Sequence, residues 1–442
     1  MLMTAALWFL VVALVRGQDI PADADALVNA YVKLNRFMGS ALVAKGGTVL
    51  VKKGYGMANV ELDVPNSPET KFRLGSITKQ FTATSILQIA SQGKLSVEDK
   101  VSKYVPDAPA AWKDITIHHL LTHTSGLPNY TSFPDYLKKM REPVTPLQLI
   151  AVFKDRPLDF EPGSKFSYSN SGYAALGYII EKVSGEKYED YLRKHIFDPL
   201  DMSDTGYDHD TTILKQRAAG YMLSKDGKIR NADYLDMSIP YSAGSMYSTV
   251  EDLYRWDRSL YTDKVLPREW REKMFTPFLN NYAYGWFRAP LFGHKMTSHG
   301  GGINGFSTAI NRFPDDDVCI VVLSNLASSS IGALANGLAA IVFGEKYELP
   351  VERKEISLDP KLLDRYTGKY QLPDSVVYVA REGNQLLAGP NNDKAPIFPA
   401  SATRFFLKVL PAEIEFNLDA SGKVTGMVLH QGGQQMPGKR IE

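Results

Sequence analysis

Strand patterning brackets the larger part of this chain, and helical patterning fills the space between. A helix-patterned run from about residue 25 leads into Gly39-Ser40-Ala41-Leu42-Val43-Ala44 and Thr48-Val49-Leu50-Val51-Lys52. These two runs flank Lys45-Gly46-Gly47, and β-rich segments around a glycine turn predict a hairpin. Helix and loop patterning then dominate from Ser76 to about Asp257. Strand patterning returns at Thr308-Ala309-Ile310 and from Val318 to Leu323, separated by the turn Pro314-Asp315-Asp316-Asp317, and a last helix is predicted from about Ser330 to Phe343. Such segregation predicts an α+β body. It would be an α/β/α sandwich, its first and last strands in one antiparallel sheet, beside an all-helical subdomain.

Past this body the patterning changes. Residues from Glu345 to Pro360 are charged and carry prolines, as a linker does. Tyr366-Thr367-Gly368-Lys369-Tyr370, Phe405 to Val409, Glu413 to Leu418 and Val424 to His430 then read as short strands, two of them joined by the turn Asp419-Ala420-Ser421-Gly422. They predict a small all-β, barrel-like domain. The expected boundaries are a signal peptide over residues 1–17, a body over 22–346, a linker over 347–360 and the all-β domain over 361–442. More than one domain suits a length of 442 residues.

Charge excludes some partners. The net charge is +1 with no basic or acidic block, so nothing points to nucleic acid or an anionic membrane surface. Leu2 to Val15 is almost wholly apolar and is followed by Arg16-Gly17, which reads as an export signal. About 14 residues of helix reach only about 21 Å, short of the roughly 30 Å hydrocarbon core. The expectation is an exported protein, periplasmic or extracellular, without a stable membrane span. Cys319 is the single cysteine and lies in the apolar run Val318 to Leu323, so it reads as a buried apolar residue. No feature fixes the oligomeric state.

Three short patterns carry chemistry. Ser76-Ile77-Thr78-Lys79 opens an apolar-patterned helix, and the spacing puts the hydroxyl and the amine on one face. An amine beside a hydroxyl can take its proton, and free N–H groups at a helix start can meet an oxyanion. The same spacing recurs at Ser91-Gln92-Gly93-Lys94 and Ser184-Gly185-Glu186-Lys187, but there a glycine marks a helix end. In Tyr168-Ser169-Asn170 the phenol can relay a proton and the amide can orient an amine or a substrate carbonyl; alone, it could equally be a helix N-cap beside a packing tyrosine. In Ser298-His299-Gly300-Gly301-Gly302, glycines let a substrate lie against a strand and leave N–H groups free.

In that order, these motifs resemble the signature of the serine β-lactamase and penicillin-binding protein family, in its class C-like branch. That branch also includes D-alanyl-D-alanine carboxypeptidases, D-aminopeptidases and esterases. The resemblance runs from about Asp25 to Phe343. It includes Ile115-Thr116-Ile117-His118-His119-Leu120-Leu121-Thr122-His123-Thr124-Ser125-Gly126-Leu127 and Ala243 to Leu253. It implies that Ser76 is the acylated nucleophile and that Lys79 and Tyr168 share the proton work. Asn170, His299 and Gly301 would bind substrate, His299 and Gly301 standing where many relatives carry K-T-G. The N–H groups of Ser76 and Gly302 would form the oxyanion hole. No cofactor or metal is implied.

His119 and His123 have the spacing of a metal pair, but the glutamate of H-E-x-x-H is missing. A histidine at 299 carries its own expectation: if its charge holds a substrate carboxylate, activity falls above roughly pH 6.5 to 7. The predicted function is serine hydrolysis of an amide or ester, with a D-amino-acid peptide, a β-lactam or a small acyl ester as substrate. The alternative is a penicillin-binding sensor or scaffold that deacylates slowly or never reacts.

Overall fold

The computed structural model describes residues 19–442 except 329, 353, 392, 409–411 and 432–433. The expected signal peptide, residues 1–17, lies outside the described residues. Helix α1 (Ile20–Lys33) starts at Asp19, whose carboxylate accepts the Ala22 N–H, and buries Ala24, Leu27, Val28 and Tyr31 along one face. Strands β1 (Gly39–Lys45) and β2 (Thr48–Tyr55) follow as a hairpin. Its turn places Gly46 and Gly47 at φ 57° and 73°, the left-handed pair that matches strand twist and that glycine adopts without strain.

The far end of the body supplies β3 (Phe287–Leu291), β4 (His294–Ile303), β5 (Phe306–Phe313) and β6 (Val318–Ser324). The sheet order is β3-β4-β5-β6-β1-β2, and every neighbouring pair is antiparallel. Gly39 pairs with Ser324 and Ala44 with Cys319, so the first and last strands do meet. Both faces of β1, β5 and β6 are buried, which explains the apolar runs of β1 and β6, whereas β5 also buries Ser307, Thr308, Asn311 and Arg312. Ala41, Val43, Ile320 and Val322 face α1 and the last helix, α6 (Ile331–Phe343). Leu42, Val321 and Leu323 face the other core, which holds Phe81 and Trp256.

At the heart of that core runs α2 (Thr78–Ser91), with every residue from Thr78 to Ala90 buried. Its hydroxyls are satisfied locally: Thr82 donates to Ser242 O at 2.6 Å and Ser85 to Phe81 O at 2.9 Å. Helices α3 (Asn170–Ser184), α4 (Val250–Ser259) and α5 (Arg268–Met274) complete the frame. Gly185, at φ 74°, caps α3, so the Ser184 motif does close a helix. The part expected to be all-helical also contains small sheets. Phe72–Arg73, Met246–Ser248 and Gly206–Tyr207 form one, and Tyr221–Leu223, Ile229–Asn231 and Leu326–Ala327 another. Strands of two or three residues are too short for alternation to register in sequence.

The C-terminal strands are β7 (Gly368–Gln371), β8 (Val376–Glu382), β9 (Gln385–Gly389), β10 (Ala395–Pro399), β11 (Arg404–Leu407), β12 (Ala412–Leu418), β13 (Val424–Gln431) and β14 (Gln434–Arg440). They form a closed barrel, with Tyr370 on β7 paired to Arg440 on β14. Tyr366, Tyr370, Leu386, Phe405, Phe416 and Met427 fill it. Among the described residues, no helix is long and apolar enough to cross a membrane.

Candidate active site

Ser76 lies in a single 3-10 turn, Gly75–Ile77, that runs directly into α2. Gly75 takes φ 55°, and a Cβ there would stand 2.9 Å from the Gly302 nitrogen, so both conformation and space require glycine. The turn thereby packs against β4. Lys79 follows in the first turn of α2, and its Nζ is 3.0 Å from Ser76 Oγ.

The amine has two further partners. It lies 2.9 Å from Asn170 Oδ1 and 2.8 Å from Ala243 O. Lys79 is fully buried, and no carboxylate pairs with it among the described residues. Desolvation therefore pushes its pKa well below the usual value for lysine. A neutral amine has two N–H bonds and one lone pair. Both carbonyl oxygens can only accept, so the two N–H bonds go to them, and the lone pair is left for the Ser76 O–H.

Each partner is held in turn. Asn170 begins α3, where its backbone N–H donates to Asn129 Oδ1 at 3.0 Å and its Nδ2 to Thr131 Oγ1 at 3.2 Å. That second bond fixes Oδ1 toward Lys79. Ala243 belongs to a helical turn, Tyr241–Gly244, pressed against α3 at Gly177, where a Cβ would fall 2.1 Å from Ser242 Oγ. Tyr168 covers the amine, with its ring centroid 4.8 Å from Lys79 Nζ. Its hydroxyl is buried and, among the described residues, within hydrogen-bonding distance of no partner. Burial raises the phenol's pKa, and the Ser76 hydroxyl nearby only partly offsets this, so the group stays neutral.

Strand β4 forms the opposite wall. Gly301 faces inward, where a Cβ would meet Leu74 O at 1.9 Å and Thr308 Oγ1 at 2.3 Å. Thr308 Oγ1 itself donates to Leu74 O at 2.7 Å, tying β5 to the chain just before Ser76. Gly302 faces the open cleft, with nothing within 4 Å of its Cβ position. Ser76, Gly302, Thr131, Asn170, Tyr130 and Asn304 are among the groups lining a cavity of about 180 Å³, and none of its lining side chains is charged.

His299 departs from expectation. Only 3% of it is exposed; Nδ1 donates to Gly300 O at 2.6 Å and Nε2 lies 3.1 Å from Tyr282 Oη. Burial is the main cause that pulls its pKa down to about 3, a protonated Lys79 adding to it, so the ring is neutral; it is also absent from the cleft's lining. A charged His299 gripping a carboxylate does not fit this geometry. The histidines of residues 118–123 have protein partners. His118 Nδ1 lies 2.8 Å from Tyr284 Oη, and His119 Nδ1 accepts the Thr116 N–H in a helix-capping box. His123 packs on the Tyr168 ring at 4.2 Å, its Nδ1 accepting the Ser169 N–H.

The structure thus gathers Ser76, Lys79, Tyr168, Asn170, Gly301 and Gly302 in one place: Ser76, Asn170 and Gly302 line the cleft, and Lys79, Tyr168, Gly301 and His299 lie behind its lining. Sequence reasoning missed the Ala243 carbonyl, Thr131 and the packing of His123 and Tyr282. A backbone carbonyl has no side-chain signature. His123 drew notice only for its spacing to His119, which says nothing of its packing on Tyr168.

An α/β/α body with a serine–lysine pair at the mouth of a central helix defines the β-lactamase/transpeptidase-like class. The chain belongs to the beta-lactamase family, whose model matches residues 24–342; a domain of unknown function, DUF3471, matches residues 352–440. It is 31% identical over 436 residues to penicillin-binding protein 4* of Bacillus subtilis, covering 91% of this chain and 94% of that one. Among solved structures, the octameric penicillin-binding protein homologue from Pyrococcus abyssi is 27% identical with a TM-score of 0.66, covering 95% of this chain and 99% of that one. A D-stereospecific amidohydrolase from Streptomyces sp. is 25% identical with a TM-score of 0.65, covering 74% of this chain and 99% of that one.

Proposed function

We propose that this protein is a serine hydrolase that forms an acyl-enzyme on Ser76 and cleaves an amide or ester that carries no carboxylate at its reacting end, D-amino-acid amides foremost. The observation that carries the proposal is the Lys79 amine, fully buried and held by Asn170 Oδ1, Ala243 O and Ser76 Oγ. Lys79 takes the Ser76 proton as Oγ attacks the substrate carbonyl carbon. The resulting oxyanion is received by the N–H groups of Ser76 and Gly302. Collapse expels the amine or alcohol, which takes a proton from Lys79 directly or through the Tyr168 hydroxyl. Water then hydrolyses the ester on Ser76, Lys79 taking the water's proton and passing it to the departing Ser76 Oγ, which restores the free amine and the hydroxyl. Between the two candidate bases, burial favours Lys79: it promotes the neutral amine but opposes the phenolate.

The substrate class follows from the cleft's charge. With His299 neutral and no charged lining side chain, a β-lactam or C-terminal carboxylate meets no counter-ion here. The similarity to a D-stereospecific amidohydrolase points the same way. A panel of D-phenylalanine amide, p-nitrophenyl acetate, a cephalosporin and a D-alanyl-D-alanine peptide tests this. Turnover of the first two, abolished by Ser76→Ala, is expected. Faster turnover of the cephalosporin would overturn the substrate class, and a lasting adduct without turnover would favour a sensor. Export through residues 1–17 belongs to the same proposal; a secreted protein that keeps those residues would refute it.

A further inference from the structure

A second cavity lies on the sheet face that carries His299 and Gly301, nearer the start of β4. Arg288 on β3 pairs with Thr297 on β4, and Thr297 with Arg312 on β5. Cross-strand partners share a face, so the three form one row. With α5 and the aromatic rings of Tyr261 and Phe275, they enclose about 320 Å³. Four guanidinium groups line this space, those of Arg268, Arg271, Arg288 and Arg312, against the single carboxylate of Glu272.

Most of that charge is balanced. Arg268 pairs with Glu272 at 2.8 Å, and Arg271 with Asp263 at 2.5 Å. Arg312 Nε donates to Asp257 Oδ1 at 2.8 Å, and Arg258, which also bonds Asp257 twice, has a second carboxylate partner in Asp317 at 2.5 Å. Arg288 donates to the Phe275 carbonyl at 2.9 Å and, among the described residues, pairs with no carboxylate. The Arg312 side chain is 3% exposed, yet its Nη2 is a buried donor without a hydrogen-bond partner. Its guanidinium carbon stands 4.9 Å from the Tyr261 ring centroid and 5.3 Å from that of Phe275. A buried charged donor left unmatched is costly, and Arg312 is one of the residues lining a cavity with one surplus positive charge.

We propose that this cavity binds a small carboxylate carried on an apolar body. One oxygen accepts from Arg312 Nη2 and the other from Arg288, while the Thr297 hydroxyl lies between them and the aromatic rings flank the apolar part. The site is separate from the Ser76 cleft. The two share no lining residue, and the four residue steps from Thr297 to Gly301 span about 13 Å of strand. The inference stands whatever chemistry Ser76 performs.

Calorimetric titration of the full chain with benzoate, its neutral isostere benzamide, and inorganic phosphate tests the assignment. Saturable benzoate binding is expected, stronger than that of benzamide or phosphate. Arg288→Gln, on the edge strand and outside the Ser76 cleft, is expected to weaken it about tenfold or more while Ser76 labelling by a fluorophosphonate stays unchanged. In a crystal soaked with 4-iodobenzoate, the iodine signal is expected beside Tyr261 and Phe275. No benzoate binding up to tens of millimolar, equal binding by benzamide, tighter binding by phosphate, or undiminished binding in Arg288→Gln would each overturn the proposal.

Discussion

At Lys79 the decisive effect is burial without a counter-charge. An exposed lysine, near pKa 10.4, would be almost wholly protonated at neutral pH and useless as a base. Burial shifts the balance to the free amine, and the two carbonyl acceptors direct its lone pair at Ser76. The acylation rate should therefore rise with pH and level off well below the lysine range, measured as a pH profile of fluorophosphonate labelling. A plateau reached only above pH 10 would contradict this. His299 leaves its mark on stability instead. Folding lowers its pKa from 6.5 to about 3, so between those values the unfolded chain binds the extra proton. Its contribution is then full above about pH 6.5 and is lost as pH falls toward 3, by at most about 1.4 kcal/mol per pH unit. His299→Gln is expected to lessen the fall in melting temperature between pH 7 and 4. The lessening is partial, because burial also pushes the pKa of His123 well below its usual value. An unchanged fall would show that the His299 ring titrates near its ordinary pKa.

Among the elements, β4 illustrates how near-identical residues carry different loads. Gly301 and Gly302 are neighbours in one glycine run, but only Gly301 has backbone within 1.9 Å of its Cβ position. Gly301→Ala is expected to cost about 1–3 kcal/mol or more, as overpacking does, and to slow Ser76 labelling by moving β4 off the Ser76 turn. Gly302→Ala should stay within about 0.5 kcal/mol. Urea melts of the two variants compare these directly; equal costs would mean β4 does not sit as described. Sequence revealed the glycines as a group, since a run of them marks a place where something must approach closely. It could not say which one, because that depends on the Leu74 carbonyl, more than two hundred residues away. The Ser76–Lys79 pair was legible because both groups lie within one helical turn. The Ala243 carbonyl was not, because a contact made by backbone leaves any side chain possible at that position.

Across the whole molecule, the strands that bracket the body were legible because β1 and β6 are buried on both faces and read as continuous apolar runs. The barrel was half legible. β12 and β13 show strong patterning around the turn Asp419-Ala420-Ser421-Gly422, whereas β10 and β14 carry prolines, which argue against strands in a sequence. Both strands nonetheless close the barrel, β14 pairing with β7 and β13. The barrel supplies no residue to the lining of the Ser76 cavity. A chain ending at residue 346 is therefore expected to fold and to acquire the Ser76 label within about threefold of the full-length rate, roughly 0.7 kcal/mol. Loss of labelling in a folded truncation would assign the barrel a part in the chemistry.

Intact-mass and peptide mapping after a timed fluorophosphonate reaction, comparing the natural chain with Lys79→Met, bears on the proton transfer itself. A single adduct on the peptide containing Ser76, formed about 10²–10⁴-fold more slowly in Lys79→Met, is the result expected when a buried amine removes the hydroxyl proton. An adduct on any other residue, or equal rates in the two proteins, would contradict it.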